Sequence, residues 1–325
     1  MNPGALVALS GGVDSALALS MARERWTDVR AAHVITSSAG PRPEAAAVAD
    51  RLKIPLILLE RSGEFRRRII TRSEEMLARG LTPNPCALCN AGVKLLSLFE
   101  ILEPEEVIVT GHYAGKRSGL PVRGTDGDKD QSYFLSLVDP DIMDRCRFPL
   151  QGMTKDMVRE RALELRLPFR RRESMDLCFH MSAPGPSGGI VDIHGRELGR
   201  HGGIGGFTIG QRRGLGAHGE RTYVLSINRE TGDVTVGPKE CLMSRACTVG
   251  ELNWFSRPEA FPAVMRVQTR YRRKPVEAVL DEEGDSLHIE FSLPERSVAP
   301  GQVCAFYSGD VLTGGGIIES TEGIG

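Results

Sequence analysis

The hexapeptide Ser-Gly-Gly-Val-Asp-Ser at residues 10–15 constrains this chain more than any other stretch. An apolar run over residues 5–9 precedes it, and a helix-compatible run over residues 16–22 follows. This order predicts a buried strand, a tight turn and the start of a helix. Gly11 and Gly12 leave the turn without Cβ atoms, so backbone N–H groups can approach a ligand, and the helix dipole favours an anion. We therefore predict a phosphate cradle at this turn.

Asp14 suits such a cradle only if a cation is present too, and a Mg²⁺ ion carried by the phosphates meets this need. The turn is not a G-x-x-x-x-G-K-[ST] loop, because no lysine follows its glycines. It resembles instead the SGGxDS loop of the pyrophosphatase-type ATP enzymes, which grip the β,γ-pyrophosphate as a leaving group and activate a substrate by adenylation. A glycine turn without a ligand is the alternative, and the complete hexapeptide argues against it.

Length and composition indicate a globular protein of about two domains, since 41% of the 325 residues are hydrophobic and 26% are charged. No apolar run approaches the roughly 20 residues of a membrane span, and no basic segment precedes the first strand. These patterns predict a cytoplasmic location and no membrane partner. Seven cysteines, an odd count, favour catalytic, metal-binding or simply buried thiols over a disulfide framework.

The formal net charge of −1 points to no particular partner, but positive residues cluster locally. The clusters lie at residues 66–68, 170–172, 212–213 and 270–274. Basic clusters that share a face can hold a polyanion, whereas any one of them alone is more often a solvated edge.

Strands and helices alternate along the first half of the chain. Strands are predicted at residues 5–9, 29–35, 56–59 and 107–110, and helices at residues 16–22, 44–52, 64–79, 93–102 and 155–165. The alternation predicts an α/β fold with a doubly wound parallel sheet. Ligands of such sheets bind at the carboxyl ends of the strands, where the hexapeptide, Val34 and Gly111 fall.

From about residue 185 the helical periodicity disappears, and the glycine-rich residues 185–189 have the composition of a hinge. Strands are predicted at residues 223–228, 233–236, 263–271, 276–280, 287–291, 303–307 and 316–318. We predict a nucleotide-binding domain at residues 1–184, a small, mostly β central domain at residues 185–250 and a β-barrel-like domain at residues 251–325.

Cys86 and Cys89 are spaced C-x-x-C, just ahead of a predicted helix. A thiol near a helix N-terminus tends to have a lowered pKa and a larger thiolate fraction. Three interpretations stay open: a redox pair, two ligands of a metal ion or cluster, or one nucleophile beside a bystander. A four-cysteine zinc site needs a second such pair, which the sequence lacks. Cys178 is the third candidate thiol.

Several motifs together resemble the tRNA-specific 2-thiouridylases, in the family's order and over nearly the whole chain. Besides the hexapeptide and the two cysteine stretches, they lie at residues 110–114, 128–135, 208–216, 269–272, 300–302 and 314–318. The resemblance implies that ATP adenylates the 2-carbonyl oxygen of the wobble uridine in certain tRNAs and that pyrophosphate leaves. Sulfur carried on a cysteine then attacks the activated carbon, and AMP leaves.

The resemblance also implies site residues, cofactors and partners. The sulfur-carrying cysteine matches Cys178, and its catalytic partner matches Cys89. The ATP site matches Ala8, Leu9, Ser10, Gly11, Gly12, Val13, Asp14, Ser15, Val34 and Gly111. The tRNA site matches Asn84, Pro85, Cys86, His112, Lys129, Asp130, Gln131, Arg270, Tyr271 and Gln302, the first three lining the target base. The implied partners are Mg²⁺, tRNA, held by the barrel-like domain, and a sulfur-donor protein such as a cysteine desulfurase or relay.

This chain departs from the family in three places. The loop after the second strand and the stretch after Cys178 are short, and Cys86 stands where many members carry an Asp with an acid–base role. In the persulfide route, Cys89 releases the transferred sulfur and leaves a Cys89–Cys178 disulfide that must be reduced. Alternatively, Cys86, Cys89 and Cys178 hold a [4Fe–4S] cluster whose open iron binds sulfide as the donor, as in related tRNA thiolases. Both routes stay open at this point.

Two rival functions remain, one from a different class of protein and one from an enzyme of the same fold. One is a tRNA-binding or sulfur-carrier protein that has lost catalysis, against which the intact hexapeptide, Cys89 and Cys178 argue. The other is an adenylating ligase similar to argininosuccinate or GMP synthetase, which needs neither the paired cysteines nor the tRNA motifs.

Overall fold

The computed structural model describes residues 4–37, 40–170, 185–215 and 222–323. The strands are β1 (Ala5–Ala8), β2 (Val29–Ile35), β3 (Leu56–Glu60), β4 (Val107–Val109), β5 (Ala114–Arg117), β6 (Leu120–Arg123), β7 (Cys146–Arg147), β8 (Gly188–Asp192), β9 (Glu197–His201), β10 (Tyr223–Ile227), β11 (Val234–Gly237), β12 (Met243–Trp254), β13 (Ala263–Gln268), β14 (Val276–Glu283), β15 (Ser286–Arg296), β16 (Val303–Ser308) and β17 (Val311–Gly323).

The α-helices are α1 (Val13–Arg25), α2 (Pro43–Leu52), α3 (Ser62–Phe65), α4 (Arg72–Ala78), α5 (Pro85–Cys89), α6 (Leu95–Phe99), α7 (Pro140–Arg145) and α8 (Lys155–Glu164). Two π-helical turns, Arg66–Thr71 and Asn90–Lys94, join α3 to α4 and α5 to α6. No helix within the described ranges is long and apolar enough to cross a membrane.

The first sheet has the strand order β3-β2-β1-β4-β7, and all of its neighbours are parallel. Both faces are covered, as buried parallel strands require. Val7 packs with α1, α2 and α8 on one face, whereas Leu6 and Ile108 pack on the other with α6, α7 and part of the barrel. The strand order reverses between β1 and β4, which is where such sheets bind ligands. The predicted doubly wound parallel sheet is therefore confirmed.

Several elements of this unit differ from the prediction, and one of them is the helix α7, which was not predicted. The edge strand β7 was not predicted, because it is only two residues long. The helix predicted from residue 93 begins earlier, at Pro85. The reason is local: the Asn84 Oδ1 atom accepts a hydrogen bond from the N–H of Ala87 at 3.2 Å, and Pro85 occupies the first helical position, where its missing N–H costs nothing.

The central β module is a four-stranded sheet of order β10-β11-β8-β9, with its own small apolar core. The hinge predicted at residues 185–189 is wrong in part, because Gly188 and Gly189 begin β8. A Cβ atom on Gly188 would lie 2.2 Å from the carbonyl oxygen of Gly232. Glycine stands here because two backbones approach closely, not because the chain bends.

The C-terminal unit is a closed antiparallel barrel of order β12-β15-β14-β13-β16-β17, completed by the pairing of β12 with β17. The β5–β6 hairpin, from the first half of the chain, attaches to β17 through Val122 and Val311. The predicted domain boundaries at residues 184 and 250 stay predictions, and β12 spans the second of them.

Buried and partly buried hydrogen bonds fix the barrel to the α/β unit. The Tyr133 hydroxyl donates to the carbonyl oxygen of Val303 at 2.9 Å. The Asn253 side-chain amide donates to the carbonyl oxygens of Ser136 and Val138 at 2.9 and 2.8 Å. Since unpaired buried polar groups are costly, these contacts hold the two units in one relative position.

Candidate active site

The loop between β1 and α1 closes on itself through its two serines. The Ser15 hydroxyl donates to the carbonyl oxygen of Gly12 at 3.0 Å and accepts from the N–H of Ser10 at 3.1 Å. The Ser10 hydroxyl lies 3.0 Å from that of Ser15, and Ser10 is exposed. The loop is thus shaped before any ligand arrives, and it leads into the N-terminus of a 13-residue helix.

The two glycines of the loop serve different purposes. Gly11 has a φ of +80°, and a Cβ atom there would lie 2.9 Å from the backbone nitrogen of Ala45. Gly12 has an ordinary φ of −78°, and a Cβ atom there would meet only the Ser10 hydroxyl, at 3.5 Å. The fold therefore requires glycine at position 11, whereas glycine at position 12 leaves room in front of the loop.

Asp14 is held by two residues that were not predicted as site residues, although one of them, Tyr113, lies in the motif at residues 110–114. Its Oδ1 atom accepts hydrogen bonds from the Tyr113 hydroxyl and the Lys155 ammonium group, each at 2.7 Å, and its Oδ2 atom lies 2.8 Å from the same ammonium group. Lys155 is 141 positions away from Asp14. The helix that begins with Lys155 was predicted, but no local pattern says that its first side chain reaches this loop.

The remaining predicted ATP-site residues lie at the neighbouring strand ends. Gly111 follows β4, and a Cβ atom there would lie 2.8 Å from the backbone carbon of Asp14. Val34 is half-buried near the end of β2. His33, beside it, stands 2.7 Å from the Leu9 carbonyl oxygen through Nδ1. Because β1 pairs with both β2 and β4, the structure brings residues 8–15, Val34 and Gly111 to one edge of the sheet.

The neutral imidazole of His33 holds the start of the loop in place. Its Nε2 atom accepts a hydrogen bond from the N–H of Arg42 at 3.3 Å, so the proton lies on Nδ1, which donates to Leu9. Burial lowers the pKa of His33, and the charge of Arg42 acts in the same direction. The imidazole was not predicted as a site residue, since only the fold places it under the loop.

Cys86 and Cys89 lie on α5, with contrasting exposure. Cys86 is exposed, whereas Cys89 is 3% exposed and packs with Phe65, Ile69 and Val93. Cys178 lies outside the described residues, so its predicted pairing with Cys89 stays a prediction. Within the described ranges, no three His, Cys, Asp or Glu side chains are grouped to hold a metal ion.

A cleft of about 310 Å³ opens beside Cys86. It is lined by Leu77, Thr82, Pro83, Asn84, Pro85, Cys86, Phe134, Thr208 and Gln302. The Phe134 ring centre lies 4.3 Å from that of Tyr271, which gives the region an aromatic wall. The Thr82 hydroxyl is buried and has no hydrogen-bond partner among the described residues. A buried, unpaired hydroxyl beside a cleft is suited to a polar ligand atom.

Tyr113 and Gln131 connect the loop between β1 and α1, the predicted phosphate loop, to this cleft. The Tyr113 hydroxyl bonds to Asp14, while its N–H donates to the Gln131 side-chain oxygen at 3.0 Å. The N–H of Gln131 donates back to the Tyr113 carbonyl oxygen at 2.8 Å, and the N–H of Phe134 donates to the Gln131 carbonyl oxygen at 3.0 Å. A continuous set of hydrogen bonds therefore runs from the loop to the aromatic wall.

Comparison with known proteins gives matches along nearly the whole chain. Residues 4–182 match a family described as the tRNA methyl transferase HUP domain, residues 180–238 a PRC-barrel domain of the same name, and residues 244–318 an aminomethyltransferase beta-barrel domain. The tRNA-specific 2-thiouridylase MnmA of Aquifex aeolicus is 36% identical over 351 residues, covering 97% of this chain and 98% of the relative. That of Desulforudis audaxviator is 37% identical over 339 residues, covering 96% and 97%.

This chain belongs to the tRNA-specific 2-thiouridylase family. The domain descriptions mention methyl transfer, but the relatives matched from end to end carry the thiouridylase name. Among solved structures, an ammonia-dependent NAD synthetase from Campylobacter jejuni aligns with 50% of this chain and 64% of its own, at 18% identity and a TM-score of 0.34, which is too loose to support an argument.

His112 lies directly after Gly111, which contacts the loop. Its Nδ1 atom is 2.7 Å from the Thr110 hydroxyl. Although part of its surface is exposed, desolvation lowers the pKa of His112 to about 3, and the charge of Lys94 adds to the effect. The ring is therefore neutral near pH 7, and its predicted contact with tRNA is that of a neutral group.

Among the predicted tRNA residues 129–131, Asp130 makes hydrogen bonds within the protein. The buried Asp130 carboxylate accepts hydrogen bonds from Arg123 Nε at 2.8 Å, the N–H of Gly124 at 3.0 Å, and the N–H and hydroxyl of Ser132 at 3.1 Å each. Lys129 is half-buried on the preceding turn. The tRNA contacts of Lys129, Asp130 and Gln131 stay predictions.

The predicted tRNA residues of the barrel gather at the junction of the three units. Arg270 donates to the carbonyl oxygen of Ile209 in the central module at 3.3 Å, and burial lowers the pKa of Arg270. Tyr271 faces Phe134, and burial raises the pKa of Tyr271. Gln302 donates to the carbonyl oxygens of Thr82 and Pro83 at 3.0 and 3.1 Å. Their direct contact with tRNA stays a prediction.

Proposed function

We propose that this chain catalyses the ATP-dependent 2-thiolation of the wobble uridine of tRNA, through an adenylated uridine and sulfur carried on a cysteine. The observation that carries the proposal is the connection of the phosphate loop to the cysteine cleft through Tyr113 and Gln131. A uridine in the cleft and a nucleotide in the loop are then neighbours, as a reaction between them demands. The activity named for the relatives supports the same conclusion.

The first step is adenylation. ATP binds across residues 8–15, Val34 and Gly111, with the loop N–H groups and hydroxyls on its phosphates. The uridine O2 atom bonds to the α-phosphorus, the bond from that phosphorus to its bridging oxygen breaks, and pyrophosphate departs with the electron pair. The N3 proton is released, which leaves a C2=N3 double bond. Asp14 is the loop carboxylate that would hold a Mg²⁺ ion, whose charge offsets that of the phosphates.

The second step transfers sulfur. The terminal sulfur of a persulfide on Cys178 bonds to C2, and AMP leaves with the C–O electron pair. The Cys89 thiolate then attacks the Cys178 sulfur, the S–S bond to the transferred atom breaks, and 2-thiouridine forms on uptake of one proton. Two thiols have become one disulfide, which an external two-electron reductant must restore. A sulfur-donor protein then reloads Cys178.

The base occupies the cleft beside Cys86. Phe134 and Tyr271 supply aromatic surface for stacking, as proteins that bind unstacked RNA bases commonly do. Thr82 lines the cleft, and rotation of its buried side chain would bring the hydroxyl to the pyrimidine edge. Basic residues of the barrel, Arg270 among them, meet the tRNA backbone.

A second candidate follows from the exposed Cys86, which lines the cleft and precedes the buried Cys89 by three positions on the same short helix. These two residues and Cys178 would hold a [4Fe–4S] cluster, which would supply an open iron that binds sulfide as the donor. Two of the three thiols lie on one short helix, and the third lies outside the described residues. Iron and sulfide analysis of anaerobically purified protein separates the routes, because Cys86→Ser would abolish iron binding only if a cluster forms.

The decisive experiment is single-turnover thiolation of an unmodified tRNA transcript by anaerobic protein with ATP, Mg²⁺ and a persulfide source. Nucleoside digestion of the tRNA should reveal 2-thiouridine at the wobble position. Analysis of the soluble products should reveal one AMP per sulfur transferred. Cys89→Ser should abolish product, whereas Cys241→Ser, which removes another exposed thiol, should not. An unchanged wobble uridine with the unmutated protein would refute the proposal.

A further inference from the structure

Lys155 is an unexpected residue at the start of a helix. It is the first residue of α8, where the helix dipole disfavours a cation, and it is only 8% exposed. The backbone nevertheless holds it there firmly. Thr154 caps the helix by accepting from the N–H of Met157 at 3.4 Å, and Asp126 accepts from the N–H of Lys155 at 3.1 Å. Burial and the helix dipole both disfavour a cation at this position, so the reason for Lys155 lies outside the helix.

The Lys155 ammonium group lies inside the crevice that doubly wound sheets use for ligands. It contacts both oxygens of Asp14 and lies 5.6 Å from the centre of the Tyr113 ring. Asp14 follows β1 and Tyr113 follows β4, so Lys155 lies between the carboxyl ends of these two strands. The Asp14 side chain keeps 30% of its surface exposed, so the ion pair can be reached from the mouth of the loop.

A pyrophosphate ligand needs a cation that the loop sequence does not contain. The N–H groups and hydroxyls of residues 10–15 offer partial charges only, whereas pyrophosphate carries several full negative charges. In other phosphate loops a lysine of the loop itself supplies a point charge to the phosphates. Here the fold delivers a lysine to the same place from α8, 141 positions along the chain.

We propose that Lys155 binds the pyrophosphate portion of ATP, and that Asp14 holds its ammonium group in place until the nucleotide arrives. On binding, Lys155 transfers its hydrogen bonds from Asp14 to β- or γ-phosphate oxygens, and the Asp14 carboxylate becomes available for Mg²⁺. When the bond between the α-phosphorus and the bridging oxygen breaks, the electron pair moves onto pyrophosphate, and Lys155 stabilises that charge. The nature of the attacking oxygen rests on the proposed function, whereas pyrophosphate binding does not.

The test is a double-mutant cycle on the full chain, with inorganic pyrophosphate as the probe and a chelator present so that Mg²⁺ plays no part. Calorimetry would give the dissociation constants of the unmutated protein, Asp14→Asn, Lys155→Met and Asp14→Asn/Lys155→Met. The double variant avoids leaving an unpaired carboxylate, and thermal unfolding would verify that it is folded. Lys116→Met is the matched control, since this shielded lysine pairs with Asp144 at the end of α7.

The expected results follow from the exchange. Asp14→Asn should bind pyrophosphate at least as tightly as the unmutated protein, because the competitor for Lys155 is gone. The double variant should bind about tenfold to a hundredfold more weakly than Asp14→Asn, as the loss of a charge-assisted contact predicts. Lys116→Met should bind as the unmutated protein does.

Equal binding by Asp14→Asn and the double variant would overturn the proposal, because Lys155 would then be only the counter-ion of Asp14. Absence of pyrophosphate binding in every protein would overturn it as well. The proposed function fails separately: a chain that showed the expected cycle but never thiolated tRNA would refute the reaction and keep this role for Lys155.

Discussion

Gln302 donates a hydrogen bond from its side-chain amide to the carbonyl oxygen of Thr82 at 3.0 Å, across 220 positions of sequence. The same amide nitrogen reaches the carbonyl oxygen of Pro83 at 3.1 Å. One barrel residue thereby sets the position of the segment that leads into α5, the helix that carries Cys86 and Cys89. The shape of the cleft beside Cys86 is thus a joint product of the first and last parts of the chain.

Gln302→Leu should therefore damage both stability and substrate binding. It leaves two buried carbonyl oxygens without a donor, so we expect a loss of about 1–3 kcal/mol in the free energy of unfolding. The KM for tRNA should rise by more than kcat falls, because the cleft loses its shape while the loop stays intact. Gln151→Leu, which removes a side chain that accepts from Lys116 in the β5–β6 hairpin, should leave the KM unchanged. An unaltered KM in Gln302→Leu would contradict the assignment.

The two loop glycines should respond differently to alanine. Gly11→Ala forces a side chain into left-handed backbone and against Ala45, so a loss of about 1–3 kcal/mol in unfolding free energy is expected. Gly12→Ala should leave stability within about 0.5 kcal/mol, since the new methyl group meets only the Ser10 hydroxyl. Its ATP affinity should nonetheless fall about tenfold or more, because the methyl group fills the space in front of the loop. Urea unfolding and nucleotide titration of both variants would distinguish the two roles, and unchanged ATP affinity in Gly12→Ala would place the ligand elsewhere.

Protonation of His112 should make stability depend on pH. Its pKa falls from 6.5 to about 3 in the folded protein, so the unfolded chain takes up the proton first as the solution is acidified. The stabilising contribution is complete above about pH 6.5 and is lost as the pH falls towards 3. Between about pH 7.5 and pH 5 we expect this group to remove up to about 2 kcal/mol of unfolding free energy.

His112→Asn should reduce that loss, as measured by urea unfolding at the two pH values. His288→Asn, which alters a half-exposed histidine of the barrel, serves as the control. The same pH dependence in His112→Asn and in the unmutated protein would show that another group is responsible.

Thr82→Val should separate a ligand contact from a structural one. The Thr82 hydroxyl is buried without a partner among the described residues, so its removal should leave stability unchanged or raise it by about 1 kcal/mol. Thiolation of tRNA should fall about tenfold if the hydroxyl bonds to the uracil edge. Thr313→Val provides the opposite case: that hydroxyl donates to the Phe306 carbonyl oxygen at 3.1 Å, so stability should fall while turnover is kept. Normal turnover in Thr82→Val would remove Thr82 from the base site.

What could be predicted from the sequence is what depends on neighbours along the chain. The strand β1 is a run of apolar residues, β2 is mostly apolar, and the turn after β1 carries its own glycines and serines. The start of helix α8 could be predicted from its N-cap residue, Thr154. Family motifs then supplied the site residues, because they are short and contiguous.

Contacts between distant positions could not be predicted in this way. Nothing near Lys155 indicates that it pairs with Asp14, and nothing near Ala114–Arg117 indicates that this hairpin joins a barrel built mainly from the last quarter of the chain. The buried role of Asp130 was hidden for the same reason, since its partner Arg123 is recognised only once the hairpin has folded. Tertiary packing decides such contacts, and local residue preferences carry no record of it.

The hydrogen bonds that cross from the barrel to the α/β unit also bear on how this family can evolve. A barrel transplanted from an unrelated protein would have to present an acceptor to the Tyr133 hydroxyl and a donor to the carbonyl oxygens of Ser136 and Val138. Any mismatch would leave polar groups without hydrogen-bond partners in a buried or partly buried interface. The α/β unit and its barrel must therefore be inherited together. A substitution on one side of their interface has to be matched by a compensating substitution on the other.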